Sequence, residues 1–143
     1  MADGVFNISK GAFAEKVRNS SSTLLIMLLT ANEADATMID YADVAALLAA
    51  AGNTESADGS YTRKTGLTGT ITVDNTNDRV DVDIPDQTWS GLTGETMTKA
   101  IVAQDEGSTD ATRVPGTHHD FAVTTDGSDL TIQFNASGCF RAA

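Results

Sequence analysis

Residues 70–84 alternate one apolar with one polar side chain, broken only by Asn75-Thr76-Asn77-Asp78. A period of two belongs to a pleated strand and to no helix, because successive strand side chains point to opposite faces. The four interrupting residues are turn formers, so the stretch predicts an antiparallel hairpin burying Ile71, Val73, Val80, Val82 and Ile84. Its other face is threonine and charge, with Arg79 placed to pair with Asp74 across the strands. Pro85 has no amide hydrogen, which ends the second strand or puts it at a sheet edge.

The same logic predicts a second hairpin near the C-terminus. Residues 121–124 and 130–134 flank a turn at 125–129 whose Asp126-Gly127 pair suits a positive φ. Phe121, Val123, Leu130, Ile132 and Phe134 form its expected buried face. A further strand is expected over 98–104, followed by a polar loop, 105–116, that contains Pro115. Residues 53–66, rich in Asn, Thr, Ser and Gly around Tyr61, predict another exposed loop.

Residues 24–29 are uniformly apolar. Six residues fall far short of the roughly 18 of a membrane span. More than twenty residues, including Asp3 and Glu15, precede the run, which argues against a secretory signal. It reads as a fully buried strand or core segment. From residue 37 the spacing becomes helical: Met38, Tyr41, Val44, Ala45, Leu48 and Ala51 recur at threes and fours. Thr37 and Asp40 are its N-cap candidates, and Gly52-Asn53 its expected left-handed stop. Residues 1–20 show neither period and predict an extended arm or lead-in, in which Phe13 and Val17 are spaced to share one helical face. The expected architecture is a single α+β domain over 1–143, arm 1–20 and body 21–143. Its sheet is mainly antiparallel, sandwich or barrel-like, with one helix in the N-terminal half.

Charge narrows the function. Nine Lys plus Arg against twenty Asp plus Glu leave a net charge of −11, which disfavours phosphate backbones and anionic membrane surfaces as partners. Cys139 is the only cysteine, so neither a disulfide framework nor a cysteine zinc cluster can form within the chain. His118 and His119 adjoin Asp120, but neighbours on a strand face opposite ways and do not converge on one ion. Asp74, Asp78, Asp81, Asp83 and Asp86 crowd the first hairpin. Arg79 stands where a calcium-binding EF-hand loop needs glycine, so a solvated strand face is the simpler account. Nucleophile-elbow, Ser-x-x-Lys, zinc-protease and phosphate-loop signatures are absent. No catalysis, cofactor or metal is expected, and Cys139 is expected to be a structural thiol.

Three stretches together carry a resemblance: Phe6-Asn7-Ile8-Ser9-Lys10-Gly11; the block from Asp74 to Trp89, with Asn77-Asp78-Arg79-Val80-Asp81-Val82-Asp83-Ile84-Pro85-Asp86-Gln87-Thr88-Trp89; and the ending from His118 to Arg141. In the ending, His118-His119-Asp120-Phe121, Asp126-Gly127-Ser128-Asp129-Leu130-Thr131 and Gln133-Phe134-Asn135 are the distinctive parts. The chain resembles a family of small virion structural proteins of tailed bacteriophages, leaving 52–66 and 105–116 as variable loops. The resemblance implies a head decoration, or cement, protein made in the bacterial cytoplasm and bound outside the capsid. Its partners would be the major capsid protein and two further copies of itself. A trimer would carry three times the −11 of the single chain, a charge suited to the outer surface rather than to a DNA-filled lumen. Phe6, Ile8 and Phe13 in the arm, with Phe140 and Arg141 at the end, are the expected interface residues. The alternative is a tail component: tube, terminator or fibre-attachment protein. A glycan-binding module stacking sugars on Trp89 and Tyr61 is the more distant rival.

Overall fold

A computed structural model of the chain describes residues 3–9, 17, 23–135 and 137–142. The fold is α+β and β-rich, as the alternation implied. At its centre lies β2, Thr23–Ala31, the apolar run, whose residues 24–29 are all at most 1% exposed. Both of its faces are buried, so the run has no polar alternation to show. Leu24, Ile26 and Leu28 enter one core, and Leu25, Met27 and Leu29 the other.

Beside β2 runs β8, Thr93–Asp105, and beside β8 runs β9, Val114–Asp126, each thirteen residues long. The ladder pairs Thr23 with Asp105 and Leu29 with Lys99, then Ile101 with His118. Two residues of the arm, β1 (Gly4–Val5), cap the outer edge of β9 opposite His118 and Thr117. The far edge of β2 is paired by β3, Thr54–Glu55, at one end and by β4, Lys64–Leu67, at the other.

Two smaller sheets cover the first core. The predicted hairpin is present as β5, Thr70–Asp74, and β6, Arg79–Asp83, with Asp74 opposite Arg79 and Ile71 opposite Val82. Its base is buried through Val82 and Ile84, while its tip projects and leaves Val73 57% exposed. On the other side of β6 lies β11, Phe140–Ala142, with Phe140 opposite Val82. The second small sheet pairs β7, Gln87–Trp89, with β10, Leu130–Ile132.

That last pairing corrects an expectation. Gly127 has φ +92 as a tight turn requires, yet the strand after it leaves β9 and joins β7. The expected buried face survives the change, because Phe121, Val123, Leu130, Ile132 and Phe134 all reach the first core, from two sheets instead of one.

The predicted helix is also corrected. It is two pieces, α1 (Asp35–Met38) and α2 (Val44–Ala49). Asp43, extended at φ −147, caps α2 by accepting from the Ala46 amide at 2.7 Å. Asp40 does not cap: it accepts from Asn7 Nδ2 at 2.6 Å. Met38, Val44 and Leu47 still close the second core over β2, with Phe6. Among the described residues no helix is long and apolar enough to cross a membrane.

Candidate functional site

The arm holds to the body through a cluster that spans four elements. Along β8, Ile101 and Ala103 line the second core, and Lys99 on the same face is 0% exposed. A buried ammonium needs opposite charge. Asp35 at the start of α1 lies 2.8 Å from Lys99 Nζ, and Asp120 of β9 lies 2.5 Å from it. Burial pulls the Lys99 pKa down, but the hydrogen bonds to Asp120 and Asp35 outweigh it and hold the ammonium above its ordinary value.

One residue before β1, Asp3 bridges arm and sheet. Its carboxylate accepts from the Asp120 amide at 3.0 Å and lies 3.3 Å from His119 Nδ1. Burial opposes its ionisation; the amide and the imidazole prevail and keep Asp3 below the usual carboxylate range. His118 and His119 point to opposite faces, as strand geometry requires. His119 packs edge-on against Phe134 at 4.9 Å and meets Thr117 Oγ1 at 2.9 Å. His118 turns inward, 1% exposed, edge-on to Phe6 at 5.6 Å, with both ring nitrogens buried and no hydrogen-bond partner. Burial first, then the nearby Lys99, hold its pKa below the ordinary imidazole value. His119 is lowered too, by burial, with Asp3 pulling the other way.

Further hydrogen bonds run from the arm to backbone carbonyls of the body. The Phe6 amide donates to Gly116 O at 3.0 Å, the Asn7 amide to Ile39 O at 2.7 Å, and the Ser9 hydroxyl to Pro115 O. The arm over residues 3–9 is therefore docked on its own body. This corrects two expected interface residues: Phe6 is 0% and Phe140 7% exposed, both taken up by the chain's own cores. Ile8 is 49% exposed. Arg141 lies opposite Asp81 and reaches it with Nε at 2.8 Å. Phe13 lies outside the described residues.

At the first hairpin, Arg79 Nε is 3.1 Å from both Asp74 and Asp81. The expected cross-strand pair is present. The face is not wholly solvated, however: Asp81 is 6% exposed, shielded by Arg79 and Arg141. Among the described residues no three His, Cys, Asp or Glu side chains are grouped to hold a metal ion.

Trp89 is 2% exposed, donates its Nε1 hydrogen to Thr62 O at 2.7 Å and carries Lys64 over its ring. Tyr61 gives its hydroxyl to Glu55 at 2.8 Å and accepts from the Leu28 amide at 3.0 Å. The open aromatic platform that glycan stacking requires is therefore not formed by these two residues.

Cys139 is buried, with its thiol 3.4 Å from Val82 O and its pKa pushed by burial up to about 12. A thiol reagent is expected to modify it on the order of a hundredfold more slowly in native buffer than in denaturant, since attack must await opening of β11. Equal rates in the two conditions would contradict that placement.

Sequence reasoning missed Lys99, Asp35 and Asp3. The available signal was a lone lysine directly before the apolar run at 100–103 of the strand, a position where burial calls for carboxylate partners. No protein-family model, curated protein or solved structure matches the chain.

Proposed function

We propose that the chain is a bacteriophage head decoration protein, a trimer that binds the outside of the capsid lattice and stabilises it. The observation that supports this reading is how the three family-like stretches lie in the fold. The ending pairs with the 74–89 block twice, β11 on β6 and β10 on β7, and its His118 ring meets Phe6 of the first stretch edge-on at 5.6 Å. The three stretches are thus in contact with one another. The two stretches outside the resemblance are likewise joined to each other, by the 2.5 Å ion pair of Arg63 with Asp110.

Two exposed large hydrophobics are Ile8 and Val73, and Val73 lines a shallow groove with Val80, Arg79 and Ala142. These, with Arg141, are the contacts the reading assigns to the capsid or to sister copies. Stabilisation works by linkage: a chain that binds only the assembled lattice shifts the equilibrium toward it without chemistry.

Quantitative mass spectrometry of purified particles tests the reading. Hundreds of copies per particle are expected, together with earlier heat opening of particles that lack the chain. A few tens of copies would move it to the tail, and equal heat resistance would overturn cementing. Phe6 belongs to the core, so deleting the arm would damage the fold as well. Ile8→Asp is the sharper probe, expected to weaken attachment while leaving the monomer folded.

A further inference from the structure

The seating of the arm contains an anomaly. His118 sits beneath β1 so closely that a Cβ built on Gly4 would lie 2.4 Å from His118 Nε2 and 2.8 Å from Cε1. Glycine is therefore required there for approach, and the ring is sealed by backbone above and by Phe6 at its edge. Neither nitrogen finds an acceptor. A proton added to this ring would be a buried cation with no hydrogen-bond partner, close to the ammonium of Lys99. The groove beside it is lined by Asp3, Val5, Asp35 and Ile39, so the lid over the ring is the arm itself.

We propose that the N-terminal strand is a proton-released latch: protonation of His118 expels Gly4–Val5 and Phe6 from the body, uncovering the edge of β9 and the seat of Phe6.

The charged groups around His118 set the sense of the effect. Lys99 on β8 opposes its protonation, as does His119 on β9, while Asp35 on α1 and Asp3 on the arm favour it. Asp120 is held by Lys99. Burial and Lys99 prevail, so the closed state prefers the neutral ring, and closure releases a proton. Closure is then fully favoured above the open-state imidazole pKa of about 6.5 and weakens as pH falls below it. One proton sets the steepest slope at about tenfold per pH unit. His119 is under two opposed influences, burial lowering its pKa and Asp3 raising it, with burial ahead. Asp3 itself loses its charge only at much lower pH. Replacing each histidine in turn therefore identifies the residue responsible.

Amide hydrogen exchange of the full chain between pH 5 and 8 is the test, read as protection factors. The Phe6 and Asp120 amides, which bond Gly116 O and Asp3, report the latch; amides of β2 and β8 report the body. Protection at Phe6 and Asp120 is expected to be flat above pH 7 and to fall by up to about tenfold per pH unit below 6.5, while β2 and β8 hold theirs. His118→Phe keeps a ring against Phe6 and should abolish the slope, whereas His119→Gln should keep it. Gly4→Ala should open the latch even at pH 8. A flat wild-type profile, an unchanged slope in His118→Phe, or parallel loss in β2 and β8 would each overturn the proposal. Should His118→Phe fail to fold, imidazole nitrogen NMR of the wild type decides. His118 protonating with no loss of Phe6 protection would overturn it, and joint change would support it.

Discussion

Lys99→Met should lower the unfolding free energy by about 3 kcal/mol in chemical denaturation. Methionine keeps the length of the lysine stem, so the loss reports the charge rather than a cavity. Removing one partner of a buried ion pair costs about 3–5 kcal/mol, because the other partner keeps its desolvation without its counter-charge. Asp35 and Asp120 retain side-chain exposures of 28% and 33%, so water reaches both and places the effect at the lower end of that range. Adding Asp120→Asn to Lys99→Met should recover part of the loss, since one stranded carboxylate is then gone. In the wild-type background Asp120→Asn should be destabilising. That reversal of sign within one double-mutant cycle is the signature of coupling through the pair. A Lys99→Met protein within about 0.5 kcal/mol of wild type would mean that the ammonium contributes nothing net.

Gly138→Ala should be comparably damaging, for a reason of backbone rather than charge. Gly138 has φ +73, which an L residue adopts only at a cost of about 1–2 kcal/mol. A Cβ there would also lie 2.1 Å from Val82 O and 2.6 Å from Val82 C, main-chain atoms that cannot rotate aside. The chain must retreat, and the bond from the Cys139 amide to Val82 O, now 2.8 Å, is broken. Phe140 then withdraws from the core with β11. Strain, a lost hydrogen bond and partial exposure of an aromatic add to about 3 kcal/mol. Gly94→Ala is the control: its φ is +79, but no atom lies within 4 Å of its Cβ, so only the strain should appear. Cys139 should become reactive in native buffer in the first variant and stay protected in the second. Equal stability of the two variants would show that the close approach to Val82 is of no consequence.

These two residues also show where the sequence can be read and where it cannot. The 70–84 hairpin was legible because turn, strands and face lie within fifteen consecutive positions. The burial of the run at 24–29 is legible because six adjacent apolar residues need cover from water on every side, whichever element carries them. Alternation names a face but not a partner, and so the strand at 130–132 was placed on β9 when it belongs to β7. Helical spacing persisted through residues 39–43, yet Asp43 offered the backbone a cap and Asp40 was claimed by the arm. The Lys99 cluster joins positions near 3, 35, 99 and 120, brought together by the ladder of β8 on β9, the packing of α1 on the second core and the pairing of β1 on β9. Of the expected interface residues, residue type identified side chains that like to be buried but not whose core would bury them.

The position of β2 in the sheet has a consequence for how the protein is made. Its long partner, β8, ends at Asp105, 76 residues after the apolar run. At synthesis rates of about 5–20 residues per second, the run waits unpaired for about 4–15 seconds after it leaves the ribosome. Six adjacent apolar residues without a charge or a proline are adhesive during that wait. β3 and β4 follow sooner, yet they meet the run only at Leu29 and at Leu24 and Ile26. Yield in the cell will therefore depend on chaperone capacity and growth temperature more steeply than the finished fold's stability alone would require.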